Sequence, residues 1–155
     1  MLVAISAFQT VTLQESAMEP TYSVGQKFFV NRALYKIKSP KRGDVIVFKT
    51  SASDDAALHI RRVIGLPGET VQIKEGQIYI NGNVYEENGA YQEIADGGLA
   101  DSAITLESGE YFVLGDNRNN SEDSRFSDIG NISKKYIVGK IWFTVSPKSK
   151  IGFIR

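Results

Sequence analysis

Apolar and polar residues alternate over most of the chain, and the pattern predicts short strands. Val11–Gln14 alternates as a half-buried strand does, and Lys27–Arg32 reads as a second one. Val45–Phe48 is apolar without a break, the mark of a buried strand. His59–Gly65 follows as a further strand, closed by the turn Leu66-Pro67-Gly68-Glu69. Thr70–Ile73 and Gln77–Ile80 flank Glu75-Gly76 and predict a hairpin, and Asn81-Gly82 predicts a tight turn into Val84-Tyr85. Ile104–Leu106 and Tyr111–Leu114 surround Ser108-Gly109, and Gly139–Val145 closes the sheet. Ala33–Lys41 and Lys49–Ala57 read as loops, and Ser133–Ile137 as one helical turn. Residues 86–103 have no clear period and read as a small inserted flap within a single domain, 1–155. The fold class expected is mainly β, with many short strands and turn signals.

Two stretches fit neither period. Glu15–Thr21 precedes the Lys27–Arg32 strand and carries Met18-Glu19-Pro20-Thr21, in which proline biases Glu19 toward extended backbone. Extended backbone at a site's rim suits a peptide ligand that adds to a sheet. Gly115–Gly130 is the other, dense in Asp, Asn, Ser and Arg. Such a loop either lies in water or completes a buried polar network.

Composition narrows the chemistry. The 155 residues suffice for one domain with a sizeable core. Eighteen basic and 18 acidic residues balance to zero net charge, which argues against a nucleic-acid partner. There is no cysteine and one histidine, His59, so thiolate and multi-histidine metal sites are excluded. The acidic positions Asp116, Glu122 and Asp123 lack the spacing of a calcium loop. No metal and no cofactor are expected. Met1–Phe8 is apolar but shorter than the ~20 residues that span a bilayer. It reads either as an N-terminal strand or as the remainder of a segment that followed a membrane anchor.

Four blocks, in order, resemble type I signal peptidases, membrane-anchored serine endopeptidases that remove signal peptides from exported preproteins. They are Ala17-Met18-Glu19-Pro20-Thr21, Arg42–Phe48, Arg61–Glu69, and Gly115-Asp116-Asn117 through Ser121-x-Asp123-Ser124-Arg125. The resemblance covers about residues 11 to 145, and the short 86–103 segment resembles the compact cap of Gram-positive members. It implies a β-barrel-like catalytic domain on the extracytoplasmic face of the cell membrane, with signal peptides and the membrane surface as partners. It also implies a Ser-Lys dyad in which a neutral lysine takes the serine proton. The complete last block argues against another Ser-Lys class, the self-cleaving repressor domains.

The chain departs from that pattern at both reacting positions. Ala17 stands at the nucleophile position, and a methyl group cannot attack. Arg61 stands at the general-base position, and a guanidinium stays protonated. Glu15 replaces the hydroxyl or glycine that often precedes the nucleophile by two, which puts oxyanion stabilisation in doubt. Loss of a serine-protease nucleophile costs about a million-fold in kcat, so no cleavage is expected. The reading is a signal peptidase disabled at its dyad. The alternative is a natural non-catalytic factor that binds exported proteins or pilins. Ser16 is expected to point away in extended backbone, and Lys27 to lie out of reach.

By resemblance, Ser121 orients the base, while Asp123 and Arg125 form a pair that holds the site. Met18, Tyr22, His59 and Ile60 correspond to residues lining pockets for small substrate side chains. Phe28, Phe29, Trp142 and Phe143 are candidates for membrane contact, or else core.

Overall fold

The computed structural model describes residues 8–53 and 55–154. Most of the Met1–Phe8 stretch therefore lies outside the described residues. The strands are β1 (Phe8–Thr12), β2 (Lys27–Asn31), β3 (Val45–Lys49), β4 (Leu58–Gly65), β5 (Thr70–Lys74) and β6 (Gln77–Ile80). They continue as β7 (Asn83–Val84), β8 (Ile104–Thr105), β9 (Glu110–Leu114), β10 (Ile132–Ser133), β11 (Ile137–Ser146) and β12 (Gly152–Phe153). One sheet runs in the order β1-β2-β11-β3-β4-β9-β10, with β12 also paired to β11. A second sheet runs β7-β6-β5-β8, and all pairings are antiparallel.

The mainly β class is as expected, and among the described residues the sheets do not close into a barrel. The first sheet ends at β1 and β10, and β5 to β8 build their own sheet over a separate core. The two hairpin turns follow their sequences: Glu75-Gly76 and Asn81-Gly82 each place two successive residues at positive φ, as tight hairpin turns require.

The uninterrupted run in β3 is explained by burial on both faces. Val45 and Val47 join Met18, Phe28, Ile60 and Ile141 in one core. Ile46 and Phe48 join Tyr35, Val63, Tyr111 and Val113 in another. Each such side chain contributes roughly 1.5–3 kcal/mol on burial, so β3 is a principal anchor of the sheet.

One local reading is corrected. The segment 33–41, expected as loop, contains helix α1 (Leu34–Ile37). Asn31 Oδ1 accepts from the Ala33 and Leu34 N–H groups, and Tyr35 is drawn into the core by its ring. The single helical turn expected over 133–137 is present as a 3₁₀ turn, Lys134–Tyr136, directly after β10. The 86–103 segment packs on the second sheet. Ile94 and Ala100 enter the second core, and Gly98–Asp101 is a 3₁₀ turn.

Candidate active site

Glu15 is extended, and Ser16–Met18 forms a single 3₁₀ turn closed by the Glu19 N–H on the Ser16 carbonyl. Glu19 is extended before Pro20, as the proline requires. The turn removes the extended backbone on which the expectation for Ser16 rested. A 3₁₀ step rotates successive side chains by a third of a turn instead of a half, and Ser16 lines the same cavity as Ala17.

The polar loop after β9 is fastened against this turn. The Asn117 N–H donates to the Ala17 carbonyl at 2.9 Å, and Asn117 Nδ2 donates to the Ser16 carbonyl at 3.1 Å. Gly115 permits the approach. A Cβ there would sit 2.0 Å from Ser121 Oγ and 2.6 Å from the Ala17 carbonyl oxygen. The result is a cavity of about 420 Å³ that holds Ala17, Arg61 and Ser121 together with Glu15 and Glu122.

Arg61 is buried and held by three hydrogen bonds. Its Nε donates to the Glu122 carbonyl at 2.7 Å, and its Nη1 to Glu15 Oε2 at 2.7 Å and to the Ile60 carbonyl at 2.8 Å. His59 and Arg61 lie two apart on β4, so both project to one side. His59 Nδ1 comes within 3.3 Å of Glu15 Oε1, close but poorly aligned for a hydrogen bond. His59 and Arg61 together hold the Glu15 carboxyl down to about 2, although partial burial opposes ionisation. Of the two contacts, the Arg61 bond has the better geometry.

The predicted support residues form one buried knot. Asp123 is inaccessible to solvent. Its Oδ2 accepts from Ser121 Oγ at 3.0 Å, the Gly115 N–H at 3.0 Å and Arg125 Nη2 at 2.9 Å. Its Oδ1 accepts from Arg125 Nε at 2.8 Å. Ser121 thus gives its proton to Asp123, while Arg61 is held by the neighbouring Glu122 carbonyl. Arg125 also reaches the Asp96 carbonyl, and its own carbonyl accepts from the Leu99 N–H. Arg118 pairs with Glu87 and lies 4.1 Å from the Tyr91 ring centre. These bonds fasten the 86–103 segment to the site loop. Beneath the loop, Arg62 forms a two-bond pair with Asp116 at 2.8 and 2.7 Å.

The expected substrate-lining residues divide. Met18 and Tyr22 are buried in the core, edge-on to or alongside Phe28. Ile60 borders a cavity of about 520 Å³ with Leu13, Leu58 and Glu15. His59 stacks on Phe48 beside Glu15. Lys27 lies at the start of β2, outside the cavity. The residues not anticipated as partners are Glu15, Glu122 and Asn117. Glu15 was singled out in the sequence only for the group it replaces, and nothing there pairs it with a residue 46 positions later.

Residues 1–146 match the family model described as "Signal peptidase, peptidase S26". The chain belongs to the signal peptidase family. Signal peptidase I T of Bacillus subtilis is 34% identical over 154 residues, 95% of this chain and 78% of that protein. A probable signal peptidase I-2 of Synechocystis is 31% identical over 146 residues, covering 92% of this chain. The chain spans only 65% of that relative's length. A crystal structure of a signal peptidase I from Enterococcus faecalis superposes with a TM-score of 0.51 at 33% identity. The superposition covers 67% of this chain and 97% of that one. Among the described residues, no helix is long and apolar enough to cross a membrane.

Proposed function

We propose that this member of the family binds signal peptides of exported preproteins, at the extracytoplasmic face of the cell membrane, without hydrolysing them. The observation that carries the reading is the Glu15–Arg61 pair beside Ala17. An amide bond laid across this cavity meets a methyl group where attack would begin. It meets a guanidinium where a proton would have to be taken, and a guanidinium accepts none. A carboxylate stands nearby, and a negative charge there opposes a developing oxyanion.

Binding is supported by features that do not need the dyad. The outer edge of β1 has no strand partner among the described residues, and such an edge accepts an extended peptide by main-chain hydrogen bonds. The apolar cavity bordered by Leu13, Leu58 and Ile60 lies along it and reaches Glu15, which also lines the Ala17 cavity. A peptide on that edge would run toward the former reaction centre. The runner-up is an endopeptidase disabled only at positions 17 and 61.

The test combines anisotropy of a labelled signal peptide with a preprotein cleavage assay. The parent chain is expected to bind and not to cut. Ala17→Ser with Arg61→Lys is expected to remain inactive. Glu15 would face the new lysine and favour its charged form, which cannot act as base. Adding Glu15→Gly is expected to release cleavage. Turnover by the parent chain, or absence of peptide binding, would overturn the proposal. Full turnover by the double variant would favour the runner-up.

A further inference from the structure

A peptide can meet the Ala17 cavity as a continuing chain or as a cut end, and the polar groups on the cavity wall tell the two apart. The Arg61 side chain is 1% exposed. Its Nε and Nη1 donate to the Glu122 and Ile60 carbonyls and to Glu15. Its Nη2 donates to no described residue, yet it is not closed off from solvent. A guanidinium this buried meets solvent through the space it lines, and that space is the Ala17 cavity. One nitrogen of a buried cation is thus an unspent donor aimed into the cavity.

The other unspent groups are mainly acceptors. Glu122 lines the cavity with an exposed side chain. Its carbonyl is used, but among the described residues its carboxylate joins no ion pair and accepts no hydrogen bond. The Ser16 carbonyl takes the Asn117 side chain, while the Ser16 hydroxyl has no partner among the described residues. Ser121 Oγ gives its proton to Asp123 and keeps its lone pairs. Asn119 is spent, with Oδ1 on the Ala95 N–H and Nδ2 on the Glu93 carbonyl. The charges on the wall are two carboxylates, Glu15 and Glu122, and one guanidinium.

An internal peptide bond matches this set. Its carbonyl accepts from Arg61 Nη2, and an N–H beside it finds the oxygens of Ser16, Ser121 or Glu122. A cut end matches poorly. A carboxylate accepts but has no N–H to give, and it brings a third negative charge to a wall with one positive charge. Like charges repel more strongly in a partly desolvated space than in water, and such juxtaposition suppresses the wrong partner.

We infer that the Ala17 cavity selects an intact chain over a cut one, with Arg61 Nη2 donating to a main-chain carbonyl of the peptide and Glu122 repelling the carboxylate that a cut exposes. The inference rests on the peptide-binding reading above. It places this protein ahead of a peptide-bond hydrolysis carried out by another enzyme: it holds the uncut chain, and hydrolysis at the held point releases it.

The test is fluorescence anisotropy with one labelled signal peptide in three forms. One continues past its cleavage point into mature sequence, one ends there as an amide, and one ends there as a free acid. The continuing and amide forms are expected to bind alike. The free acid is expected to bind about tenfold more weakly, with the gap narrowing at high salt. Glu122→Gln should reduce the gap to about threefold, and its side chain is exposed, so folding is not at issue. Glu15→Gln with Arg61→Gln removes the ion pair as a unit and should lose about tenfold on the amide form, the worth of a hydrogen bond from a charged donor. Equal or tighter binding of the free acid, an amide form as weak as the acid, or an unchanged gap in Glu122→Gln would overturn the inference and leave peptide binding standing. Failure of all three forms to bind would overturn the peptide reading with it. Unchanged amide affinity in the double variant would remove Arg61 as the anchor; if that variant does not fold, the three forms and Glu122→Gln decide.

Discussion

Glu15→Gln tests whether the Glu15–Arg61 pair is an integral part of this fold. The Glu15 carboxyl is held at about 2 against an ordinary value of 4.5, by His59 and by Arg61. A displacement of roughly 2.5 units corresponds to roughly 3.4 kcal/mol at about 1.36 kcal/mol per unit. The Glu15 side chain is 38% exposed, and solvent screening reduces that figure to about 1.5 kcal/mol. The amide still accepts one hydrogen bond from Arg61, which also keeps its Glu122 and Ile60 carbonyl partners. The loss should therefore stay well below the ~3–5 kcal/mol of a fully stranded buried charge. Urea unfolding at neutral pH should show about 1.5 kcal/mol less stability, with an unchanged m-value. The pH dependence supplies a second reading. The folded-state value is depressed, so the contribution is fully present above about 4.5 and disappears as pH falls toward about 2. The parent chain should lose stability through that window more steeply than Glu15→Gln, and the two curves should converge at its acid end. Parallel curves, or a neutral-pH difference under about 0.5 kcal/mol, would refute the assigned role.

Two further substitutions probe the scaffold. Gly115→Ala places a methyl group 2.0 Å from Ser121 Oγ and 2.6 Å from the Ala17 carbonyl. The loop must shift, at about 1–3 kcal/mol, and protection of the Asn117 amide against hydrogen exchange should fall. Retained protection would contradict the close approach. Asp123→Asn leaves Arg125 buried with a neutral partner in place of a carboxylate. About 3–5 kcal/mol should be lost, a fall in Tm of about 10 °C at this chain length. A shift under about 3 °C would show that the knot is not a stabilising unit.

The parts of the fold that could be read from sequence are those whose signals are local. β3 announces itself by four apolar residues in a row, because both of its faces are covered. Asn81-Gly82 and Glu75-Gly76 announce turns because few other pairs adopt positive φ twice. Helix α1 is silent, since four residues are too few for a period, and its start depends on Asn31 Oδ1 accepting from the Ala33 and Leu34 N–H groups. Openness of the sheet is silent too. Whether β5 to β8 close a barrel or form a second layer depends on contacts made far apart in the chain. The same holds at the site. The ordered blocks bring positions 17, 61 and 121 to one cavity. That Glu15 meets Arg61, and that Ser121 turns to Asp123, follows from the 3₁₀ turn and the Gly115 approach.

The arrangement accounts for how the site keeps its shape independently of the side chain at position 17. Ala17 contributes to the framework through its backbone, by the carbonyl that accepts the Asn117 N–H. The Asp123–Arg125 and Arg62–Asp116 pairs hold the loop without touching the Ala17 side chain. A change of side chain at position 17 therefore leaves these bonds in place. Position 61 is different, because a large cation buried there requires compensation. Glu15 supplies it, within reach only because the 3₁₀ turn holds its backbone beside β4. Glu15 and Arg61 therefore act as one coupled pair: removing Glu15 alone leaves Arg61 without its carboxylate, and Arg61→Lys alone leaves Glu15 facing a lysine that it keeps charged.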